Sequence, residues 1–194
     1  YRNNRDGLKI IENDNLIPIQ LDVTDNNSIH RFATKIEDNI DLLINNAGVP
    51  DGRWQSIEEI DDEWALEVLN INAMGPVRMV KSLYPRLKGD NLTKIVMISS
   101  LMGSIDDCQM GKSYAYRASK TALNMFAVAM KKECLLDNIS LLILHPGWVK
   151  TRMGGDRAPV EIEDSVNGMM RLVEEHKLEN SGKFMSFDGS EINW

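Results

Sequence analysis

Along this chain short apolar runs alternate with longer stretches whose apolar residues recur at helical spacing. Such alternation is the pattern of a parallel sheet whose strands are joined by covering helices. Residues 16–21 (Leu-Ile-Pro-Ile-Gln-Leu) form the first predicted strand, after which Asp25 can cap a helix reaching to about residue 36. Residues 41–45 are near-continuously hydrophobic, as suits a strand buried on both faces, and residues 94–99 form the next predicted strand. Between them a helical pattern runs over 61–87 and is interrupted at Pro76. Residues 114–136, rich in Ala, Met, Leu and Lys, predict a long buried helix. A strand over 140–145 ends at Pro146-Gly147; a helix over 159–176, acidic early and basic late as its dipole favours, leads to a last strand at 183–187. No repeat, low-complexity tract or linker divides the chain, so residues 1–194 read as one α/β domain, a doubly wound parallel sheet with helices on both faces.

At 194 residues the chain can bury the core of one domain. A formal net charge of −7 argues against nucleic acid or an anionic membrane as partner and leaves a small molecule as the expected one. No apolar run approaches the roughly 20 residues needed to span a bilayer. Cys108 and Cys134 are the only cysteines and do not form a Cys-x-x-Cys pair, which excludes a disulfide framework and a cysteine-rich zinc site. Two reduced thiols fit a cytoplasmic protein with no metal centre.

The candidate chemistry begins at Tyr116-Arg117-Ala118-Ser119-Lys120. Tyr and Lys four apart share a helix face. A free phenol titrates near pH ~10, and a neighbouring cation favours phenolate, so the pair makes sense as a tuned proton donor. On its own this spacing also occurs on ordinary helices. Three further motifs, however, end predicted strands: Asn45-Asn46-Ala47-Gly48, Ile98-Ser99-Ser100 and His145-Pro146-Gly147. In an open parallel sheet these strand ends share the edge at which ligands bind.

This combination resembles the short-chain dehydrogenase/reductase family and its Rossmann-like fold. Tyr-Arg-Ala-Ser-Lys, followed by His-Pro-Gly-Trp-Val-Lys-Thr-Arg-Met-Gly-Gly, narrows the resemblance to the small carbonyl reductases related to sniffer and the C-factor proteins. The resemblance implies NADPH-dependent reduction of an aldehyde or ketone. It implies that Tyr116 is the general acid, that Lys120 lowers its pKa and holds the nicotinamide ribose, and that Ser100 polarises the carbonyl. Ser99 competes for that last role, but alternation along a strand lets only one of the two face the site. Asn72 matches the family asparagine whose backbone carbonyl holds a relay water; its other reading is a polar helix residue beside the Pro76 kink.

For the cofactor, the resemblance implies that Asp22 meets the adenine, and that Asn46, Ala47 and Gly48 meet the adenosine ribose. Pro146, Gly147 and Val149 would lie on the nicotinamide side, with Thr151 on its carboxamide. Trp148 and Met153 read either as pocket walls or as plain packing. The position that is acidic in NAD-preferring members is Tyr1, followed by Arg2, which can pair with a 2′-phosphate; the expected cofactor is therefore NADP(H) over NAD(H). Arg5 is a possible assistant, and the alternative for Arg2 is a solvated charge. Apart from Gly7 no glycine precedes Gly48, so the family's glycine-rich turn is not in this sequence. The expectation is a domain lacking its first strand and helix. Family members often pair through the two long helices, which makes a homodimer the expected assembly. A non-catalytic dinucleotide-sensing or protein-binding module on the same fold is the competing function.

Overall fold

Buried side chains alternate along the central strands and sort into two cores, one on each face of a sheet. The computed structural model describes residues 15–52 and 55–194. Its sheet holds four parallel strands in the order of the chain: β1 (Leu42–Asn45), β2 (Thr93–Ile98), β3 (Ile139–His145) and β4 (Lys183–Ser186). Ile95 and Met97 of β2, with Ile139, Leu141 and Ile143 of β3, point to one face. There they meet Ile29 of α1 (Asn26–Ala33), Leu83 and Leu87 of α3 (Gly75–Leu87) and Leu123 of α4 (Tyr114–Leu136). Val96, Leu142 and Leu144 point to the other face, against Met169, Leu172 and Val173 of α5 (Ile162–Glu175). The doubly wound, Rossmann-like sheet with helices on both faces is thus what the period-two burial of these strands builds.

Residues 16–21 depart from expectation, because among the described residues they join no ladder. Their apolar content does act: Leu21 packs on the first core. Within this segment Pro18 has no amide to offer a ladder. The 61–87 helix also differs from its expected form. α2 (Asp62–Leu69), capped by the Asp61 carboxylate on the Trp64 amide, passes through a π-helical turn at Asn70–Met74 directly into α3. Pro76 lies in the first turn of α3, where its missing amide is tolerated, so the irregularity falls before the proline rather than on it. The last helix starts at Ile162 rather than 159, because Val160 pairs with Val149 in an isolated bridge.

Candidate active site

Parallel strands bring their carboxyl ends to one edge, and three of the sequence motifs meet there. Asn45 turns inward, its amide reaching Met97 Sδ at 3.5 Å, while Asn46 and Ala47 stand exposed at the rim. The two serines after β2 part as alternation requires. Ser99 Oγ donates to Asn124 Oδ1 of α4 at 2.6 Å and is fully enclosed. Ser100 Oγ accepts from the Met102 amide at 3.2 Å and stands near enough to the Tyr116 phenol to favour its ionised form.

Facing the strand ends, α4 carries Tyr116 and Lys120. The Lys120 ammonium donates to the Ile98 carbonyl at 2.8 Å and lies 5.7 Å from the centre of the Tyr116 ring. Burial pushes Lys120 down to about 8. Burial also pushes the Tyr116 phenol above its ordinary value; the nearby Ser100 hydroxyl pulls it back, and the Asp51 carboxylate raises it further. Burial is thus the largest influence on the phenol, while the Lys120 ammonium is engaged by the Ile98 carbonyl.

The Asn72 side chain, wholly buried in the π-helical turn, ties the site together. Its amide donates to the Val49 carbonyl at 2.9 Å and to Ser119 Oγ at 3.0 Å, and its oxygen accepts from the Val49 amide at 2.8 Å. Ser119 Oγ passes the connection on to the Tyr116 carbonyl at 2.7 Å. Because Pro76 has no N–H, α-helical pairing cannot satisfy the Asn72 carbonyl. Gly48 sits inside this cluster: a Cβ there would lie 3.3 Å from Asn72 Oδ1 and 3.6 Å from Lys120 Nζ. Gly103 lets the turn after Ser100 rest on α4, where a Cβ would meet Lys120 backbone carbon at 2.9 Å.

The remaining sequence candidates lie around this centre. Gly147 has φ +86° and packs under Phe187; the Pro146 carbonyl accepts from Ser165 Oγ at 2.6 Å. Val149 is fixed by its bridge to Val160, and Thr151 Oγ1 accepts from the Gly154 amide at 3.1 Å in an exposed turn. Trp148 and Met153 are both about half exposed, and the Trp148 indole is held by the Gly154 carbonyl at 2.8 Å. Asp22 stands apart from the Tyr116 cluster: it caps its own turn by accepting from Thr24, and lines a surface cleft with Ser28, Arg31 and Phe32. Arg2 and Arg5 lie outside the described residues.

Sequence reading missed several residues that shape the site. Arg117, Thr121 and Asn124 form a polar stripe on α4 that holds the segment after β2: Arg117 Nε donates to the Gly111 and Lys112 carbonyls, Thr121 Oγ1 and Asn124 Nδ2 to the Gly103 carbonyl. Their i, i+4, i+7 spacing was the available signal. Asp51, buried after β1, accepts from the Tyr116 amide, and nothing in its local sequence announces this.

Comparison with known proteins gives this geometry a context. Residues 3–161 match the family model described as short chain dehydrogenase. The chain is 38% identical over 164 residues to the C-signal protein of Myxococcus xanthus, covering 84% of this chain and 98% of that protein. Among solved structures it is similar to the NADPH-bound carbonyl reductase from chicken fatty liver (TM-score 0.90, 31% identity, 98% of this chain and 82% of that one). It is also similar to the carbonyl reductase Sniffer of D. melanogaster (TM-score 0.93, 27% identity, 100% and 86%).

Proposed function

The chain belongs to the short-chain dehydrogenase family, and from that premise we propose that it is an NADPH-dependent reductase of small aldehydes and ketones, acting in the cytoplasm. The observation that carries this reading is the convergence of Ser100, Tyr116 and Lys120 at the carboxyl edge of the sheet. Tyr116 donates its phenolic proton to the carbonyl oxygen, which Ser100 polarises by a hydrogen bond. The Lys120 ammonium stabilises the phenolate left behind, and the Asn72 carbonyl holds the water that reprotonates it. The nicotinamide cofactor, when bound, supplies the hydride.

The residues at this edge of the sheet fit such a cofactor: the bare backbone at Gly48, with Lys120 Nζ 3.6 Å from where a Cβ would stand, suits the close approach of a dinucleotide. Lys120 would hold the ribose of the nicotinamide, with Pro146, Gly147 and Val149 beside the ring and Thr151 on the carboxamide. Asn46, Ala47 and Gly48 would meet the adenosine ribose, Asp22 the adenine, and Arg2 the 2′-phosphate that favours NADP(H) over NAD(H).

The test is NADPH consumption against a panel of uncharged aldehydes and ketones, together with thermal-shift titrations. Tyr116→Phe should lose about 10²–10⁴-fold in turnover while keeping its melting temperature and its NADPH-induced shift. Wild type should be shifted further by NADPH than by NADH; equal shifts would sink the cofactor preference. The likeness to C-signal, which spans 98% of that protein, favours a second reading: a non-catalytic dinucleotide-sensing or protein-binding module. Under it, Tyr116→Phe would change nothing measurable.

A further inference from the structure

The first turn of α4 is held from outside the helix. At Ser113, the residue before it, the backbone is left-handed (φ 48°, ψ 48°) and the side chain makes no capping bond. Lys112 and Gly111 before it are left-handed as well, at φ 61° and 62°. Helix starts leave amides that need acceptors, and Ser in extended backbone usually supplies one. Here the acceptor comes from the segment after β1, since Asp51 Oδ2 takes the Tyr116 amide at 3.0 Å. Asp51 is only 3% exposed, so its charge sits in surroundings that screen it weakly. The residue whose amide it binds is the one whose phenol carries the chemistry.

Resting on the reductase reading, we propose that Asp51 is a positioning residue for Tyr116: its carboxylate, seated on the Tyr116 amide, fixes the first turn of α4 and sets a negative charge at the backbone of the residue whose phenol is to donate, keeping that hydroxyl protonated. A helix N-terminus carries partial positive charge, which favours an anion nearby. An uncapped first turn would therefore pull Tyr116 toward phenolate, the form suited to oxidising an alcohol. The Asp51 carboxylate opposes that pull. Among the described residues, the charged and titratable groups around the phenol are Lys120 on α4 and Asp51 after β1, with the Ser100 hydroxyl from the end of β2. Lys120, pushed down to about 8, has lost most of its charge by the pH at which a phenol raised above its ordinary value ionises. That leaves the Asp51 carboxylate as the charge that acts on it there.

Asp51→Asn separates charge from support, because its amide oxygen can still accept from the Tyr116 amide. Tyrosine ionisation would be followed by NMR of Cζ-labelled tyrosine, with the Tyr116 signal assigned by its loss in Tyr116→Phe. In Asp51→Asn the Tyr116 signal should ionise about one pH unit lower than in wild type. Asp51→Glu should return it toward wild type, and Asp51→Ser, uncharged and shorter, should behave like Asn. The alkaline limb of carbonyl reduction should move down by the same amount. An ionisation that is unchanged in Asn and Ser, or that follows melting temperature rather than charge, overturns the inference. The ionisation is read without substrate or cofactor, so wild type inactive on carbonyls would sink the reductase reading while leaving this measurement to judge Asp51.

Discussion

Ser99 and Ser100 differ by one position along β2 and by everything in what they touch. Ser99 Oγ is spent on Asn124 Oδ1 deep in the protein, whereas Ser100 Oγ takes the Met102 amide and stands near the phenol. Ser99→Ala should therefore cost stability, about 1–3 kcal/mol, by stranding a buried amide oxygen, with little loss of turnover. Ser100→Ala should leave stability nearly intact and cost roughly 10²-fold in turnover, as loss of one preorganised donor does. Chemical denaturation paired with steady-state kinetics separates the two; similar losses in both would contradict the partition. That only one of the two can face the site was legible in the sequence, because side chains alternate; that it is Ser100 came from the family resemblance. Tyr116 and Lys120 were legible for a like reason, their spacing being local. Asp51 was not: its partner amide is 65 positions away, and no local pattern marks a carboxylate that serves a distant helix.

At the scale of elements, α5 is held at its C-terminal end by two strands. Lys94 at the start of β2 donates to the Val173 and Glu174 carbonyls at 2.7 and 3.1 Å, satisfying groups that a helix end leaves open. His176, just past the helix, meets Ser140 Oγ of β3 at 2.7 Å. Burial, reinforced by Lys94 and Lys183, pushes His176 from 6.5 down to about 4. The unfolded chain thus takes up a proton near pH 6.5 that the folded chain refuses until about pH 4. Stability is accordingly full above pH 6.5 and is lost as pH falls through that window, by on the order of 1–3 kcal/mol. His145, pushed down to about 4 chiefly by its own burial, adds a loss of the same sign. Melting temperature against pH should therefore fall less steeply for His176→Gln than for wild type; parallel curves would remove His176 from the account. The elements themselves were mostly readable, since apolar period separates strands from helices. The π-helical turn was not, because one added residue barely disturbs that period. Residues 16–21, by contrast, join no ladder among the described residues, although Leu21 packs on the first core.

Taken whole, the sheet among the described residues is built without a hairpin. Leu42 of β1 pairs with Lys94, Thr93 with Ile139, and Leu142 with Lys183, so each ladder joins residues roughly 40 to 50 positions apart. The helices between them bring those partners together and also aim three strand ends at one edge, which is why residues as scattered as Ser100, Tyr116 and Asn72 share a site. The same wiring has a consequence in time. No two neighbouring strands can meet until a long stretch of chain has closed, and that entropy is lost before any ladder repays it. Refolding from denaturant should consequently show early helix formation by far-ultraviolet circular dichroism, with tertiary fluorescence from the tryptophans following much later. Coincident phases would mean that helices and sheet form together. In the interval between, the edges of β2 and β3 stand open to any other chain at the same stage, so the yield of native protein should fall as the refolding concentration rises, even though the finished fold buries both.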